Sequence, residues 1–183
     1  MVYRFVILSD EVDDFRRDIL IDSDATFYDL HDAILDSVGY KKDEMASFFI
    51  CDEDWIKEKE ITLMEMDTSS EEDSYLMDAT RLRDLLDEER QKILYVFDFL
   101  TDRAFFMELK EIVTGKNQPE ARCVKSVGKP PVQTINFEEF ESKLQASATR
   151  LDDDFYEEDD TLNLDEYDDE DFGNLSEGNP FED

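Results

Sequence analysis

The fold is decided by residues 92–113, which read KILYVFDFLTDRAFFMELKEIV. From residue 92 to residue 99 the chain alternates, and one face of the alternation carries Ile93, Tyr95, Phe97 and Phe99. A period of two is typical of a strand that is buried on one side. The turn at 100–102 leads into a second apolar run at 103–113, so the pattern predicts the central hairpin of an antiparallel sheet.

Toward the N-terminus, the runs VYRFVIL (2–8) and FRRDILI (15–21) predict two strands that form an opening hairpin. A helix is then predicted over 27–38. Thr26, three residues before Asp29, gives a start that resembles a capping box. The apolar residues at helical spacing are Phe27, Leu30, Ile34 and Val38. The glycine that follows, Gly39, is suited to the left-handed cap that ends many helices.

The remaining elements are shorter. We expect strands at 45–51, 61–66 and 120–127, a short helix at 80–89, and a further helix that starts at Asn136. Strands and helices that do not alternate regularly favour an α+β class, here an antiparallel sheet with two or three packed helices.

Charge divides the chain into two parts. The formal net charge is −32, from 51 acidic and 19 basic residues. Residues 151–183 hold 16 acids and no Lys or Arg, which leaves a net charge of −16 on the first 150 residues. A segment with so many acids cannot bury enough apolar surface to offset the entropy of ordering. We therefore predict an α+β domain over 1–150 and a disordered acidic tail over 151–183.

The same charge argues against several classes of partner. A chain of this net charge repels the phosphates of nucleic acids and of anionic membrane surfaces. No signal peptide or membrane span is expected, so we predict a cytoplasmic protein. Its two cysteines, Cys51 and Cys123, fit a reducing compartment as small buried side chains. With a single histidine, a Cys/His zinc site cannot be completed within the chain, and we expect no metal or other cofactor.

Several stretches together resemble a known family. They are Phe15-Arg16-Arg17, Thr26-Phe27 with Leu30-His31, Gly39-Tyr40, Phe48-Phe49, Leu82-Arg83-Asp84-Leu85, Tyr95 to Asp98 with Asp102, and Pro130-Pro131. In this order they are similar to the Ri-plasmid open-reading-frame-three-like family, whose members are often labelled as insertion-element passenger proteins related to a resolvase. The resemblance covers about residues 2–132 and implies an α+β fold with a curved antiparallel sheet and no established activity.

This chain is a divergent member. It has Phe15 and Tyr40 where the family pattern has tryptophan, and a longer turn between Asp98 and Asp102. The resolvase label does not fit the residues. A serine recombinase needs an activated serine beside several arginines, whereas Ser9 is followed by acidic residues.

Five residues are candidates for a polar binding site: Arg16, Arg17, His31, Asp98 and Asp102. Adjacent strand residues point to opposite faces, so we predict that one arginine is buried and bonded to Asp98 or Asp102. An exposed anion-binding site is the alternative. His31 could be a general base or a half-buried histidine hydrogen-bonded to a neighbouring strand. The two aspartates could cap their turn or bind a cation. No residue is predicted to be catalytic.

Two hypotheses for the function remain. The first is a non-enzymatic interaction module whose acidic tail attracts a basic partner protein. The second is a small hydrolase or anion-binding enzyme with a polar site near Arg16, Arg17, Asp98 and Asp102. An enzyme requires these groups to converge in an open pocket, whereas an interaction module allows them to be paired with other residues and shielded from solvent. The sequence indicates no oligomeric state.

Overall fold

The computed structural model describes residues 1–65, 74–138 and 141–142. The chain divides into two compact units, Met1–Ile135 and Asn136–Asp183, and the fold given below is that of the first. Both the predicted boundary after residue 150 and the predicted disordered tail at 151–183 lie outside the described residues.

The described part of the first unit is mostly sheet. Its elements are β1 (Val2–Ser9), β2 (Arg16–Asp22), α1 (Phe27–Val38), β3 (Ser47–Cys51), β4 (Lys57–Thr62), β5 (Ser74–Leu76), α2 (Leu82–Leu85), β6 (Lys92–Asp98), β7 (Arg103–Val113) and β8 (Arg122–Val127). The strands form one open sheet in the order β5-β4-β3-β6-β7-β1-β2-β8. All neighbours are antiparallel except β4 and β5, which are parallel. The predicted α+β class is confirmed.

The central hairpin is formed as predicted. Strands β6 and β7 pair with Tyr95 opposite Phe105 and Ile93 opposite Met107, and all four side chains are buried. Phe99 is the exception, because β6 ends at Asp98. The side chain of Phe99 lies in the turn and is 44% exposed, so its predicted place on the buried face is wrong.

Helix α1 has both predicted ends. Thr26 Oγ1 accepts a hydrogen bond from the Asp29 amide, and the Asp29 carboxylate accepts one from the Thr26 amide, which completes a capping box. Gly39 has φ 69°, in the left-handed region where a residue without Cβ is favoured. The buried face of the helix consists of Phe27, Leu30, His31, Ile34, Leu35 and Val38.

The core lies between α1 and one face of the sheet, called here the inner face. Alternate residues of each strand point into it, including Tyr3, Phe5 and Ile7 of β1. The opposite, outer face carries the intervening residues, such as Arg4 and Leu8. Because the strand period is two, the register of β1 with its neighbours fixes which side chains lie on each face.

Other predictions are corrected by the structure. Strand β4 begins at Lys57 rather than at Ile61. Its first residues, KEKE, carry no apolar pattern from which a strand could be predicted, and they belong to the strand because their main chain pairs with β3. Strand β5 was not predicted, and α2 is a single turn. Cys51 is buried, but Cys123 is exposed on β8. β8 ends the strand order and every one of its residues is exposed.

Candidate functional site

The two neighbouring arginines of β2 point to opposite faces of the sheet. The Arg17 side chain enters the inner face and the residue is 4% exposed. Arg16 lies on the outer face, where its Nε donates to Asp18 Oδ1 at 2.7 Å. The geometry agrees with the expectation that one arginine is buried. The expected partner is wrong, because Arg17 donates to the main-chain oxygens of Ser37, Val127 and Gly128 rather than to Asp98 or Asp102.

The position of Arg17 explains how its charge is tolerated. Ser37 lies in the last turn of α1, where unpaired carbonyl groups carry partial negative charge. The guanidinium carbon also lies 4.6 Å from the centre of the Phe15 ring, within range of a cation–π interaction. A helix end and an aromatic ring therefore stabilise the charge that we expected a carboxylate to balance.

Arg103 makes the ion pair that was expected of Arg16 or Arg17. It is 8% exposed, and its Nε and Nη2 atoms donate to the two carboxylate oxygens of Glu11 at 2.8 and 3.1 Å. Its Nη1 lies 3.4 Å from Asp98 Oδ2. Bidentate pairing of this kind is strong and directional. The one sequence signal for Arg103 is its place beside the Asp98 to Asp102 turn, and no sequence pattern indicated Glu11 as its partner.

Residues 127–133, called here the strap, pass over these arginines. Arg17 donates to Val127 O at 2.6 Å, and Arg103 donates to Val132 O, also at 2.6 Å. The Tyr40 hydroxyl donates to Pro131 O. Four of the stretches that carry the family resemblance thus meet here, namely those that contain Arg17, Tyr40, Asp98 and Pro131. The groups that donate to the main-chain oxygens of the strap are Arg17, Tyr40 and Arg103, and Arg103 also pairs with Asp98.

Aromatic rings form the floor beneath the strap. Phe105 stacks on Phe15 at 5.0 Å between ring centres and contacts Phe97 at 4.7 Å. Tyr40 packs against both Phe97 and Phe105. Burial raises the pKa of the Tyr40 hydroxyl, which keeps it protonated as a donor to the strap.

His31 is buried against the sheet. It is 1% exposed, and its Nδ1 lies 2.8 Å from the hydroxyl oxygen of Tyr95 on β6. Burial lowers the pKa of His31 and raises that of Tyr95, so the pair is neutral in the folded state. Of the two roles considered for His31, the hydrogen bond to a neighbouring strand is the one that this geometry supplies.

The two aspartates of the central turn have different partners. Asp98 accepts hydrogen bonds from the Leu100 amide at 3.0 Å and from the Thr101 hydroxyl at 2.7 Å. Burial acts to raise the pKa of Asp98, but the hydrogen bonds from Thr101, Leu100 and Arg103 outweigh it and lower the pKa. Asp102 has φ 51° and pairs with Lys57 at 3.5 Å. Within the described part of the chain, the one hydrogen bond between two of the five predicted site residues runs from Arg17 Nη1 to the main-chain oxygen of Arg16 at 2.9 Å, and no ion pair joins any two of them.

A different feature presents an open polar surface. A groove of about 750 Å³ lies between α1 and the loop at 117–121. Its described lining contains no Lys or Arg and six acidic residues: Asp22, Asp24, Asp29, Asp32, Asp36 and Glu120. We call this the acidic groove. The sequence signal for it is the helical spacing of the aspartates in α1, which place a row of carboxylates on the exposed side of that helix.

Bases stand at the two ends of the acidic groove. Lys42 Nζ lies 3.1 Å from Asp36 and 3.4 Å from Asp32, and its pKa is raised by the hydrogen bond to Asp36. At the other end, Arg83 lies 2.6 Å from Asp24. Asp22 accepts hydrogen bonds from the amides of Asp24 and Gln118. These bonds lower the pKa of Asp22, although burial acts to raise it. The six carboxylates of the groove are therefore only partly balanced by these bases.

Two further findings concern metals and membranes. Across residues 1–65, 74–138 and 141–142, no group of three or more His, Cys, Asp or Glu side chains is arranged to hold a metal ion. Neither of the helices in the described part of the chain has the length and apolar character that a membrane crossing requires.

The fold and its strap define an open-sheet α+β protein, and comparison with known proteins places it in a family. The sequence model described as plasmid pRiA4b ORF-3-like protein matches residues 2–175. The chain therefore belongs to the plasmid pRiA4b ORF-3-like family, as the resemblance predicted. A search of curated proteins gave no match.

One solved structure supports the fold. It is the crystal structure of a protein of unknown function from Methanosarcina mazei Go1, which aligns with a TM-score of 0.55 and 17% sequence identity. The alignment covers 80% of this chain and 81% of that chain. At this level of identity the likeness concerns the fold alone.

Proposed function

We propose that this protein is a non-catalytic interaction module that binds a basic segment of a partner protein. The acidic groove is the observation that carries the proposal. It is open to solvent, lies on a helix with well-defined ends, and gathers six carboxylates on its lining. Lysine and arginine side chains of a partner could reach these carboxylates and displace the intramolecular bases.

The placement of Asp36 supports this function. It lies in the last turn of α1, which contains no basic residue. A carboxylate at this end of a helix is repelled by the partial negative charge of the terminal carbonyls. Lys42 already offsets part of that repulsion at 3.1 Å from Asp36, and a cationic side chain of a ligand would offset more of it.

The acidic residues at 151–183 add to the attraction. Their 16 negative charges would speed the encounter with a basic partner through long-range attraction that is sensitive to salt. In this proposal the groove gives the contact its position, and the C-terminal acids increase the rate at which it forms.

The test is a titration of a labelled Lys- and Arg-rich peptide with the full chain, followed by fluorescence anisotropy. We expect saturable binding that weakens as the salt concentration rises. The double substitution Asp32→Asn with Asp36→Asn should weaken binding about tenfold, which corresponds to about 1.4 kcal/mol. A chain without residues 151–183 should show mainly a slower association rate.

A matched control separates the groove from net charge. Asp13→Asn with Asp14→Asn removes the same charge from an exposed turn between β1 and β2. This control should bind the peptide nearly as well as the native chain. Equal losses in the two double variants would reject the groove as a site and leave only non-specific attraction.

The alternative, a small hydrolase or anion-binding enzyme, has less support. It requires Arg16, Arg17, Asp98 and Asp102 to face one open pocket. Arg17 instead donates hydrogen bonds to the strap, and Arg16 lies on the outer face, where it is paired with Asp18. Asp98 is occupied by its own turn. We therefore favour the interaction module.

A further inference from the structure

The outer face of the sheet carries an apolar stripe that the core does not use. Leu8, Phe106, Leu94 and Phe49 lie opposite one another on β1, β7, β6 and β3. An antiparallel sheet with a helix on one side usually presents polar side chains on the other. Leu8 is 46% exposed, and Phe106 and Phe49 are half-buried. Leu94 is 8% exposed, so the stripe is open to solvent mainly at its Leu8 end, and an exposed apolar surface can mark a binding site.

Trp55 is held over this stripe by an unusual turn. Its φ is 66°, a conformation that residues other than glycine rarely adopt. The turn is fixed by Asp52, whose carboxylate accepts from the amides of Asp54 and Ile56, both at 2.9 Å. The indole ring meets the edge of Phe106 at 4.9 Å between centres. The chain accepts local strain here, and strained residues of this kind concentrate at binding sites.

A cleft of about 250 Å³ opens beside the tryptophan. We call it the Trp55 cleft, and its lining is Val6, Leu8, Arg16, Trp55, Phe106, Met107, Glu108 and Lys110. It is separate from the acidic groove, with which it shares no lining residue.

Basic residues border the cleft, together with the carboxylates that pair with most of them. Lys92 Nζ lies 5.1 Å from the Trp55 ring and donates to the main-chain oxygen of Glu53 rather than to a side-chain carboxylate. Arg4 and Arg16 both donate to Asp18, and Arg4 Nη1 also lies 3.8 Å from Glu111. Lys110 in the lining is paired with Glu108 at 3.2 Å. Of the basic residues around the cleft, Lys92 is the one that forms no ion pair within the described part of the chain.

We propose that the Trp55 cleft binds an acidic polypeptide segment, with an aromatic side chain of the ligand inserted between Trp55, Phe106 and Leu8. The cleft offers apolar rings at its centre and cations at its border. The complementary ligand has spaced aromatic residues with carboxylates between them. This proposed site is separate from the acidic groove, and its ligand carries the opposite charge to the ligand of the groove.

A single-stranded nucleic acid would also combine stacking bases with negative charge. The overall charge favours a polypeptide. A phosphate backbone carries one charge per nucleotide and would place many of them in the field of a chain at −32. A peptide can place a few carboxylates beside Lys92 and Arg16, and screening over about 10 Å at moderate salt weakens repulsion from more distant acids.

The test uses the intrinsic fluorescence of Trp55, which is the only tryptophan of the chain. The full chain is titrated with a short synthetic peptide in which Phe residues are separated by Asp residues. We expect a saturable blue shift of the Trp55 emission. A peptide of the same length with Asn in place of Asp should bind about tenfold more weakly, and a peptide with Ser in place of Phe should give no shift.

Variants locate the site. Lys92→Glu should weaken binding at least tenfold, whereas Lys116→Glu, the same charge change on an exposed loop residue outside the cleft, should leave it nearly unchanged. Leu8→Ser probes the apolar part of the cleft at an exposed position where folding is not at risk. Circular dichroism and the thermal midpoint confirm that each variant is folded before the titrations are compared.

Several results would overturn the proposal. Equal affinity for the Asp and Asn peptides would show that charge does not contribute to binding at the cleft. Tighter binding of a single-stranded oligonucleotide would assign the cleft to nucleic acid. Dimer formation in sedimentation that Leu8→Ser abolishes would assign it to a second copy. A salt-sensitive Trp55 emission without added peptide, together with no response to the peptide, would assign it to the chain's own acidic residues.

Discussion

The two faces of the sheet are built from the same strands but differ in what their side chains do. On the inner face, residues such as Phe5, Tyr95 and Phe105 are fully buried beneath α1. On the outer face, Leu8 is nearly half exposed and Trp55 is held in place by a strained turn. The inner residues are required for stability, because the hydrophobic effect is proportional to the area removed from water. Exposed outer residues such as Leu8 bury less apolar area and therefore contribute less to stability.

The adjacent arginines show the same difference for charged groups. Arg17 is buried on the inner face and donates to four main-chain oxygens, while Arg16 shares an outer-face carboxylate with Arg4. A buried guanidinium without its acceptors would be costly, whereas Arg16 is partly exposed and the buried carboxylate of Asp18 is also bonded to Arg4. One residue step along a strand therefore separates a structural arginine from a surface arginine.

The largest expected effect is on the inner face. Phe97 is 3% exposed and packs against Tyr40 and Phe105. We expect Phe97→Ala to lower the free energy of unfolding by about 3 to 5 kcal/mol, and Leu30→Ala by about 2 to 5 kcal/mol, because each leaves a cavity in the core. Urea unfolding measures both. A loss under about 1 kcal/mol would show that the inner-face assignment is wrong.

The arginine pair gives the next effect. We expect Arg17→Ala to destabilise the protein by about 3 kcal/mol, because each buried acceptor left without a donor costs about 1 to 3 kcal/mol. Arg16→Ala should cost under about 1 kcal/mol, since Asp18 keeps its hydrogen bond to Arg4. The two single variants are compared by denaturant unfolding. Equal effects would remove the distinction between the faces at this position.

A smaller effect concerns pH. His31 is the only histidine, and its folded pKa lies below the unfolded value of about 6.5 because of burial. The unfolded chain therefore binds a proton first, so stability should fall as pH drops from about 6.5 toward the folded pKa, with a slope of at most about 1.4 kcal/mol per pH unit.

The variant His31→Gln keeps a hydrogen-bonding group near Tyr95 but does not titrate. Its unfolding free energy should be flatter than that of the native chain over the same pH range. If both chains respond to pH in the same way, His31 is not buried in its neutral form.

The smallest effect is expected on the outer face. Leu8→Ser should change the free energy of unfolding by no more than about 0.5 kcal/mol, because the side chain is already 46% exposed. Thermal unfolding is sufficient to detect a larger change. Destabilisation similar to that of Phe97→Ala would mean that the outer stripe contributes to the core of the folded protein and is not reserved for a ligand.

Much of the fold could be predicted because its signals are local. Helix α1 is specified by Thr26, Asp29 and Gly39 together with apolar residues at helical spacing. The central hairpin is specified by alternation on both sides of a turn. Strand β4 could not be predicted in the same way, since its charged residues Lys57 to Glu60 are held in the sheet by pairing with β3.

The candidate sites depended more heavily on tertiary structure. The sequence indicated that Arg16 and Arg17 would face opposite sides, but not that Arg17 would meet the strap 110 residues away. It indicated an ion pair at the central turn, but the partners, Arg103 and Glu11, are 92 residues apart. No sequence pattern indicated a role for Trp55, because it contacts Phe106 only when its turn packs against a strand that is distant in the sequence.

The sequence by itself determined the acidic character of the chain, the class of fold, the ends of α1 and the family, since each depends on composition or on neighbours a few residues apart. Only the tertiary structure decided which arginine would be closed beneath the strap, where the helix aspartates would line a groove, and that aromatic rings and lysines would meet on the outer face. These features join residues that are far apart in the chain. Their positions follow from strand order and register, which no local pattern specifies.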